Sequence, residues 1–282
     1  MIVMDGKAVS AAVKDEVKKE VEELKTKGKV PSLAVVLVGN DPASKVYVGN
    51  KKKACEYCGI KSLEYLLEES TSEQELLGLI DVLNKEPTVN GILVQLPLPS
   101  HINEQHIINA INPHKDVDAF HPVNVGKIMT GNPDFLPCTP AGVMEIFKKY
   151  NIETAGKDCV IIGRSNIVGK PMSMLMLAAD STVTVCHSKT KDLKQKCKNA
   201  DIIIAAVGRA NFVTADMVKE GAVVIDVGIN RTENGKLCGD VDFAEVSKKA
   251  SYITPVPGGV GPMTIATLMK NTLSAFKIAD KK

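Results

Sequence analysis

The chain has 282 residues, 44% hydrophobic and 24% charged, with a formal net charge of +2 at pH 7. Its length predicts about two domains, and its composition is that of a soluble globular protein without the basic excess of a nucleic-acid-binding protein. No stretch approaches the roughly 18 apolar residues of a membrane span, and the N-terminus lacks the apolar core of a signal peptide. We therefore expect no nucleic-acid partner and no membrane association.

The seven cysteines are scattered and odd in number. This usage predicts reduced thiols in a cytoplasmic protein rather than a disulfide framework. Cys55 and Cys58 form a single C-x-x-C pair, with no second pair or histidine pair to complete a zinc site. We interpret them as two small residues on a helix and predict no metal.

The first half of the chain alternates helices and strands, which predicts an α/β domain with a mostly parallel sheet. Residues 33–38 form a continuous apolar run, as expected of a strand buried on both faces. Asp41 and Pro42 then predict the start of a helix, and Gly59 its end. The other elements predicted here are helices 9–27 and 73–85 and strands 63–67 and 91–96.

A stretch rich in proline and asparagine, residues 113–140, separates this half from the next. The second half predicts a doubly wound, Rossmann-like parallel sheet. We place the domains at residues 1–138 and 139–282, although the last helix, within 262–282, could pack on either. The elements predicted in the second half are helices 141–150 and 262–278 and strands 159–162, 182–186, 202–206 and 223–227.

A glycine loop follows the first strand of the second half. Gly163 and Gly169 enclose Arg164 and Ser165, at the point where the strand leads into a helix. Backbone N–H groups and the helix dipole favour an anion there. Because the middle glycine of the usual G-x-G-x-x-G pattern is missing, an ordinary structural turn remains an alternative.

The next strand indicates which dinucleotide would bind. An NAD-binding fold carries an acidic residue after this strand, to bond the ribose hydroxyl. Here His187, Ser188, Lys189 and Thr190 follow, and Asp180 lies at the wrong end of the strand. A hydroxyl and cations without an acid favour the 2′-phosphate of NADP. We assign His187 no catalytic role.

Tyr47 and Lys51 are four residues apart on a predicted helix and therefore share a face. A lysine on an apolar face has a lowered pKa and can act as a base. The alternative is a structural lysine whose stem lies along the core. The same Tyr-x-x-x-Lys pattern occurs in short-chain dehydrogenases, but there it follows the glycine loop, whereas here it precedes it.

Three further stretches carry polar or glycine residues where ligands bind. Gln95 ends a predicted parallel strand, and side chains at such ends point into binding crevices. Asp118 lies in the connection between the halves, which is also a preferred ligand position. Either residue could instead be structural. The stretch 255–264 contains three glycines, which permit close approach of backbone to ligand.

Together these stretches resemble the methylenetetrahydrofolate dehydrogenase/methenyltetrahydrofolate cyclohydrolase family over nearly the whole chain. The motifs that carry the resemblance are Tyr47-Val-Gly-Asn-Lys51, Val94-Gln-Leu-Pro-Leu-Pro99, Lys115-Asp-Val-Asp118, Phe120-His-Pro122, Gly163-Arg-Ser-Asn-Ile-Val-Gly-Lys-Pro171, His187-Ser-Lys-Thr190, Asp226-Val-Gly-Ile-Asn230 and Pro255-Val-Pro-Gly-Gly-Val-Gly-Pro-Met-Thr264. Ala119 departs from the glycine that usually follows the family's aspartate, which leaves the local turn in question.

The resemblance implies two α/β domains around a cleft, with Lys51 as the central catalytic residue. It also implies that Tyr47 stacks near the folate, Gln95 bonds the lysine and Asp118 anchors the pterin. The folate is expected to contact Tyr47, Val94, Gln95, Leu96, Asp118, Pro257, Gly258, Gly259, Val260, Gly261, Pro262, Met263, Thr264 and Ile265. NADP is expected to contact Gly163, Arg164, Ser165, Ser188 and, near the nicotinamide, Ile229.

The implied reactions are oxidation of 5,10-methylenetetrahydrofolate by NADP⁺ and hydrolysis of the methenyl product to 10-formyltetrahydrofolate, with a place in purine biosynthesis. The resemblance further implies a cytoplasmic homodimer. An NADP-binding module without catalysis would lack Lys51 or Gln95, and both are present. An enzyme with only one of the two activities remains an alternative.

Overall fold

A computed structural model describes residues 1–232 and 234–281. Glu233 and Lys282, both within the predicted second domain, lie outside the described residues. In chain order the elements are β1 (Ile2–Val3), α1 (Gly6–Lys25), β2 (Ser32–Val38), α2 (Pro42–Cys58), β3 (Lys61–Leu67), α3 (Glu73–Lys85), β4 (Gly91–Val94), α4 (Glu104–Ala110), α5 (Pro122–Met129), α6 (Cys138–Lys149), β5 (Asp158–Ile162), α7 (Gly169–Ala178), β6 (Thr182–Cys186), α8 (Leu193–Asn199), β7 (Ile202–Ala205), β8 (Val223–Asp226), β9 (Asn230–Arg231), β10 (Leu237–Cys238), α9 (Phe243–Val246), β11 (Tyr252–Ile253) and α10 (Val260–Asp280).

One compact unit, here the three-strand unit, consists of Ala11–Cys138 and Ile265–Lys282. Its parallel sheet has the order β3-β2-β4. Every residue of β2 is buried, as its apolar run predicted. Because side chains alternate along a strand, β2 contributes to two cores, one on each face of the sheet. One core receives Leu33, Val35 and Leu37, and the other Ala34, Val36 and Val38.

The ends of α2 are fixed by the residues that predicted them. The Asp41 carboxylate accepts a hydrogen bond from Ser44 N at 2.7 Å, and Pro42 occupies the first turn. Gly59 ends the helix in the left-handed conformation, with φ of 75°. These caps determine which side chains of α2 face the core.

The other compact unit, here the six-strand unit, consists of Met1–Ser10 and Thr139–Thr264. Its sheet has the order β1-β11-β8-β7-β5-β6, and all paired strands are parallel. The chain runs from β5 outward to β6 and then returns to β7 and β8 on the other side. The predicted doubly wound sheet is therefore confirmed, with its switch point between β5 and β7, where ligands bind in such sheets.

Some boundaries and elements differ from the prediction. The strand predicted at 91–96 ends at Val94, before Pro97, which has no N–H for a ladder. The last helix begins at Val260, two residues before Pro262. Helix α5 lies within the stretch 113–140, where no helix was predicted. His121 caps it, because its ring Nδ1 accepts a hydrogen bond from Val123 N at 3.1 Å.

Two kinds of feature are absent from residues 1–232 and 234–281. No helix there has the length and apolarity that crossing a bilayer requires. No group of three or more histidine, cysteine, aspartate or glutamate side chains there is arranged to hold a metal ion.

Candidate active site

Lys51 lies on the buried side of α2. The residue is only 8% exposed, whereas Tyr47, one turn earlier, is 41% exposed. Cys55 and Cys58 continue the buried side, and Lys52 and Lys53 are exposed. Of these three lysines, Lys51 alone lies on the buried side of the helix.

Gln95 fixes the position of the Lys51 amine. Lys51 Nζ donates a hydrogen bond to Gln95 Oε1 at 2.8 Å. Gln95 follows β4 directly, and its Nε2 donates to Leu96 O at 2.6 Å. The second bond identifies Oε1 as the acceptor facing Lys51, since the amide nitrogen is already engaged. Gln95 is thus oriented at both ends of its side-chain amide.

Asp118 is half-buried, beyond the single bridge that Asp116 forms with β4. The thiol of Cys138 faces one of its oxygens, with 3.6 Å between Sγ and Oδ1. Asp116 has a structural role, because its carboxylate accepts hydrogen bonds from His121 N and Asn124 Nδ2, each at 2.8 Å. Asp118, by contrast, is the carboxylate whose charge acts on the Lys51 amine.

Burial decides the protonation of this group. It lowers the pKa of Lys51, and the nearby Asp118 carboxylate opposes the shift. Burial likewise raises the pKa of Asp118, against the attraction of Lys51. The pKa of the Cys138 thiol is raised well above its ordinary value by the same burial. Lys51 therefore loses its proton more easily than an exposed lysine, and Cys138 stays a thiol.

Ala119, which replaces the family's usual glycine, adopts a left-handed conformation with φ of 59°. Its side chain is fully buried in the same core as Val117 and Cys138. The turn that glycine would form is therefore kept by alanine, at the cost of backbone strain.

The glycine-rich stretch turns sharply into α10. Gly258 has φ of 106°, a conformation that favours glycine. A Cβ on Gly259 would lie 2.5 Å from Pro255 O, so the backbone folds closely on itself. Ser10 Oγ donates to Pro262 O at 3.0 Å, and Thr139 and Thr264 share a hydroxyl hydrogen bond of 3.0 Å. This loop, through Thr264, belongs to the six-strand unit, and Ile265 to the three-strand unit.

The loop after β5 is tightly built. Gly163 has φ of 130°, and a Cβ on it would lie 2.2 Å from Ala206 O. A Cβ on Gly169 would lie 2.3 Å from Gly163 O. Ser165 Oγ accepts hydrogen bonds from Val168 N and Gly169 N, at 3.2 and 3.3 Å. Ser165 thereby fixes the start of α7, and Arg164 beside it is exposed.

Ser188 lies next to this loop. Strands β5 and β6 end in register, Ile162 opposite Cys186, and Gly163 N donates to Cys186 O at 2.9 Å. The turn after β6 is closed by a hydrogen bond from His187 N to Thr190 Oγ1 at 2.8 Å. Ser188 is exposed in this turn, which contains no acidic residue.

The structure brings the predicted residues together in groups, each within one unit. Lys51, Gln95 and Asp118 form one group. The loop after β5 and Ser188 form another. Ile229, which is 49% exposed after β8, lies beside the glycine-rich loop, because a Cβ on Gly261 would be 3.7 Å from its Cδ1.

Sequence reasoning missed Cys138 as a neighbour of Asp118. Asn271 of α10 supports this neighbourhood, since its Nδ2 donates to Val117 O and Leu136 O, each at 2.8 Å. Thr267 Oγ1 also donates to Cys138 O at 2.7 Å. No local pattern signals the contacts of Asn271 and Thr267, because they join residues more than 120 positions apart.

One α/β unit contains a buried lysine that an amide orients. The other contains a glycine loop at the switch point of a parallel sheet. Together these two features define a dinucleotide-dependent enzyme of the two-domain α/β class. Comparison with known proteins specifies the family. The sequence model of the tetrahydrofolate dehydrogenase/cyclohydrolase catalytic domain matches residues 4–118, and that of the family's NAD(P)-binding domain matches residues 137–280.

Individual relatives are similar to this chain in sequence or structure over nearly their whole length. The bifunctional protein FolD of Acetivibrio thermocellus is 62% identical over 279 residues, covering 99% of this chain and 98% of that protein. The crystal structure of the bifunctional FolD of Campylobacter jejuni has 58% identity, a TM-score of 0.97 and 99% coverage of both chains. The Trypanosoma brucei enzyme, crystallised with NADP and an inhibitor, has 39% identity and a TM-score of 0.95, covering 100% of this chain and 99% of that chain. The chain belongs to the tetrahydrofolate dehydrogenase/cyclohydrolase family.

Proposed function

We propose that the chain oxidises 5,10-methylenetetrahydrofolate with NADP⁺ and hydrolyses the resulting 5,10-methenyl compound to 10-formyltetrahydrofolate. The observation that carries this proposal is the buried Lys51 amine bonded to Gln95 at 2.8 Å, within the part of the chain that matches the family's catalytic domain. Membership of the family supplies the substrate class, and the site supplies a group that can take a proton.

The residues around the β5 loop fit NADP by their chemistry. Arg164 and Ser188 are exposed donors near the strand ends where the adenosine ribose is held, and no carboxylate there would repel a 2′-phosphate. The Ser165 hydroxyl accepts hydrogen bonds from two backbone N–H groups, so its own hydrogen can be donated to a phosphate. Gly163, Arg164, Ser165 and Ser188 would hold the dinucleotide, and Ile229 would lie at the nicotinamide.

NADP⁺, when bound, supplies the hydride acceptor for the first reaction. The protein's part is to hold the folate so that its one-carbon bridge faces the nicotinamide, which is chiefly a matter of orientation. Tyr47, Asp118 and the loop of residues 257–265 are proposed to orient the folate. No side chain has to remove a proton in this step.

The second reaction needs a proton acceptor. Water adds to the methenyl carbon and loses one proton. The remaining hydroxyl proton then passes to N5 as the bond between that carbon and N5 breaks, which leaves the formyl group on N10. Lys51, in its uncharged form, is proposed to take the proton from the attacking water. Gln95 keeps the amine in position, and the lowered pKa of Lys51 makes the uncharged form accessible.

We further propose that residues 1–138 carry the folate site, to which the loop of residues 257–265 also contributes, and that residues 139–282 carry the NADP site. The enzyme is proposed to act in the cytoplasm as a homodimer and to supply 10-formyltetrahydrofolate for purine biosynthesis. These proposals follow the family resemblance and the scattered, unpaired cysteines.

One assay tests the proposed function. The protein is mixed with NADP⁺ and 5,10-methylenetetrahydrofolate, and the absorbances of NADPH and of the methenyl compound are followed together. NADPH formation with little accumulation of the methenyl compound is expected. If NADPH forms and all of the methenyl compound accumulates, the protein has only the dehydrogenase activity. If no NADPH forms, the proposal is refuted.

A further inference from the structure

Two buried carboxylates of the six-strand unit take no part in the reactions described above. Asp226, the last residue of β8, is 3% exposed, and Asp240 is fully buried. We call the two together the carboxylate hub. A buried charge is costly unless hydrogen bonds compensate it, so the partners of the hub indicate its purpose.

Asp240 holds the loop that follows β7. Its Oδ2 accepts hydrogen bonds from Val207 N at 2.6 Å and Gly208 N at 3.0 Å. Its Oδ1 accepts from Arg209 N at 2.8 Å. Three successive backbone groups are thus fixed by one side chain. The carboxylate also accepts from Asn230 Nδ2 at 2.9 Å, which ties the β7 loop to the loop after β8.

Asp226, the other carboxylate of the hub, binds the loop after β8 and the backbone at Asp240 and Val241. Its Oδ1 accepts from Gly228 N at 3.0 Å and from Asp240 N at 2.9 Å, and its Oδ2 accepts from Val241 N at 3.0 Å. Burial raises the pKa of Asp226 to about 6. All these contacts of the hub, in the described part of the chain, are N–H donors rather than cations.

Glycines let the backbone approach the hub. A Cβ on Gly228 would lie 2.2 Å from Asp240 Oδ1, and a Cβ on Gly239 would lie 1.8 Å from Asp226 Oδ2. Neither position has room for a side chain unless the short, hydrogen-bonded carboxylates move. The hub and the two glycines therefore form one closely fitted arrangement.

Ile229 stands between the two residues that the hub holds. Asp226 binds the preceding Gly228, and Asp240 binds the following Asn230. The side chain between them is 49% exposed, although isoleucine is usually buried. An exposed apolar side chain on a backbone fixed at both neighbours is a preorganised contact surface.

We propose that Asp226 and Asp240 are positioning residues for NADP, which hold the loops after β7 and β8 so that Ile229 presents its apolar side chain to the nicotinamide ring. This inference rests on the proposed function, because it takes the ligand of the six-strand unit to be NADP. The hub itself touches neither cofactor nor folate and acts through the backbone and Asn230.

Two variants test the hub, one by a large change and one by a small change to its hydrogen bonds. Asp240→Asn removes the carboxylate, and Asn230→Ala removes only the side-chain amide that joins the two loops. Asp216→Asn is the matched control, because Asp216 is an exposed carboxylate of the same unit paired with Lys194. The measurements are NADP⁺ affinity by calorimetry without folate, amide hydrogen exchange at residues 207–209 and 228–230, and both enzymatic rates.

Asp240→Asn replaces an oxygen that accepts two N–H groups by an amide nitrogen that cannot accept them. We expect NADP⁺ binding to weaken about tenfold, because the loop is then held less firmly. KM for NADP⁺ should rise by the same factor, and amides 207–209 should exchange faster. Hydrolysis of methenyltetrahydrofolate, which uses no hydride acceptor, should keep its rate. Asn230→Ala should weaken NADP⁺ binding less, and combining it with Ile229→Ala should add nothing, because both changes act on one contact.

Unchanged NADP⁺ affinity in a folded Asp240→Asn protein would overturn the proposal. If that variant does not fold, Asn230→Ala decides, and an unchanged affinity there has the same meaning. Fully additive effects of Asn230→Ala and Ile229→Ala would also contradict it. Failure of the wild type to reduce NADP⁺ would refute the proposed function instead, so the two failures are distinguishable.

Discussion

The surroundings of Lys51 and the edge of the sheet at Arg164 and Ser188 differ in their exposure to water. Lys51 is 8% exposed and donates a hydrogen bond to Gln95 at 2.8 Å. Arg164 and Ser188 are exposed on short loops. The same kinds of polar group thus act in two ways. In the first region burial changes the chemistry of the side chain, and in the second an exposed guanidinium and an exposed hydroxyl are accessible to a ligand.

The contrast predicts the size of mutational effects. A buried group that takes part in proton transfer contributes more than an exposed group that contacts a phosphate, because water weakens the second and not the first. Substitutions near Lys51 should therefore lower activity strongly, and substitutions of Arg164 or Ser188 should lower NADP⁺ affinity moderately.

Lys51→Met is expected to have the largest effect. Methionine keeps the stem volume and the helix propensity but removes the amine, so the fold should persist. Loss of a general base typically lowers a rate about 10²- to 10⁴-fold, so hydrolysis should nearly stop and the methenyl compound should accumulate. Hydride transfer should lose less. Separate assays of the two reactions measure this, with the exposed Lys53→Met on the same helix as control.

A folded Lys51→Met protein that hydrolyses methenyltetrahydrofolate at the wild-type rate would show that Lys51 is a structural lysine. Equal losses in both reactions would assign it to binding rather than to proton transfer.

Asp118→Asn should weaken both reactions together, because both use the same bound pterin. Loss of a charged hydrogen-bond partner corresponds to roughly a 10- to 100-fold lower kcat/KM for the folate. Asp81→Asn, on the exposed side of α3, is the control. Unchanged folate kinetics in Asp118→Asn would identify Asp118 as a turn residue only.

Arg164→Ala should lower NADP⁺ affinity about tenfold and leave NAD⁺ affinity unchanged. The smaller effect follows from the exposure of Arg164, where solvent screens its charge. Calorimetry with the two dinucleotides compares them directly. Equal losses for both would mean that Arg164 does not read the 2′-phosphate.

Local sequence patterns predicted the elements that present the site. The apolar run of β2 and the caps of α2 at Asp41 and Gly59 are local signals, and the structure confirms both. They set the face on which Lys51 lies. The pairing of Lys51 with Gln95 was implied only by the family resemblance, since the two residues are far apart in the chain.

The features that were missed depend on tertiary contacts or on very short elements. Strands β1 and β11 have two residues each, too few for a periodic pattern. Cys138 and Asp240 acquire their roles from neighbours that the fold supplies, Asp118 in one case and the β7 loop in the other. No spacing within the sequence marks either residue.

Ala119→Gly is expected to have the smallest effect. Glycine would relieve a left-handed strain of about 1–2 kcal/mol, but it would remove a buried methyl group and add backbone freedom to the unfolded chain. These contributions nearly cancel, so the free energy of unfolding should change by less than about 1 kcal/mol. Denaturant unfolding measures it. A change above about 2 kcal/mol would show that relief of the left-handed strain and loss of the buried methyl group do not cancel.

The pH dependence of hydrolysis tests the role of Lys51 most directly. The uncharged amine becomes more abundant as pH rises through the Lys51 pKa, which burial lowers from the ordinary value of 10.5. Initial rates of methenyltetrahydrofolate hydrolysis are measured against pH, with the enzyme-free rate subtracted. The wild-type rate should rise with pH about a midpoint below 10.5, and the rise should be absent in Lys51→Met. A wild-type rate that does not change with pH, or a rise that persists in Lys51→Met, would contradict proton transfer to Lys51.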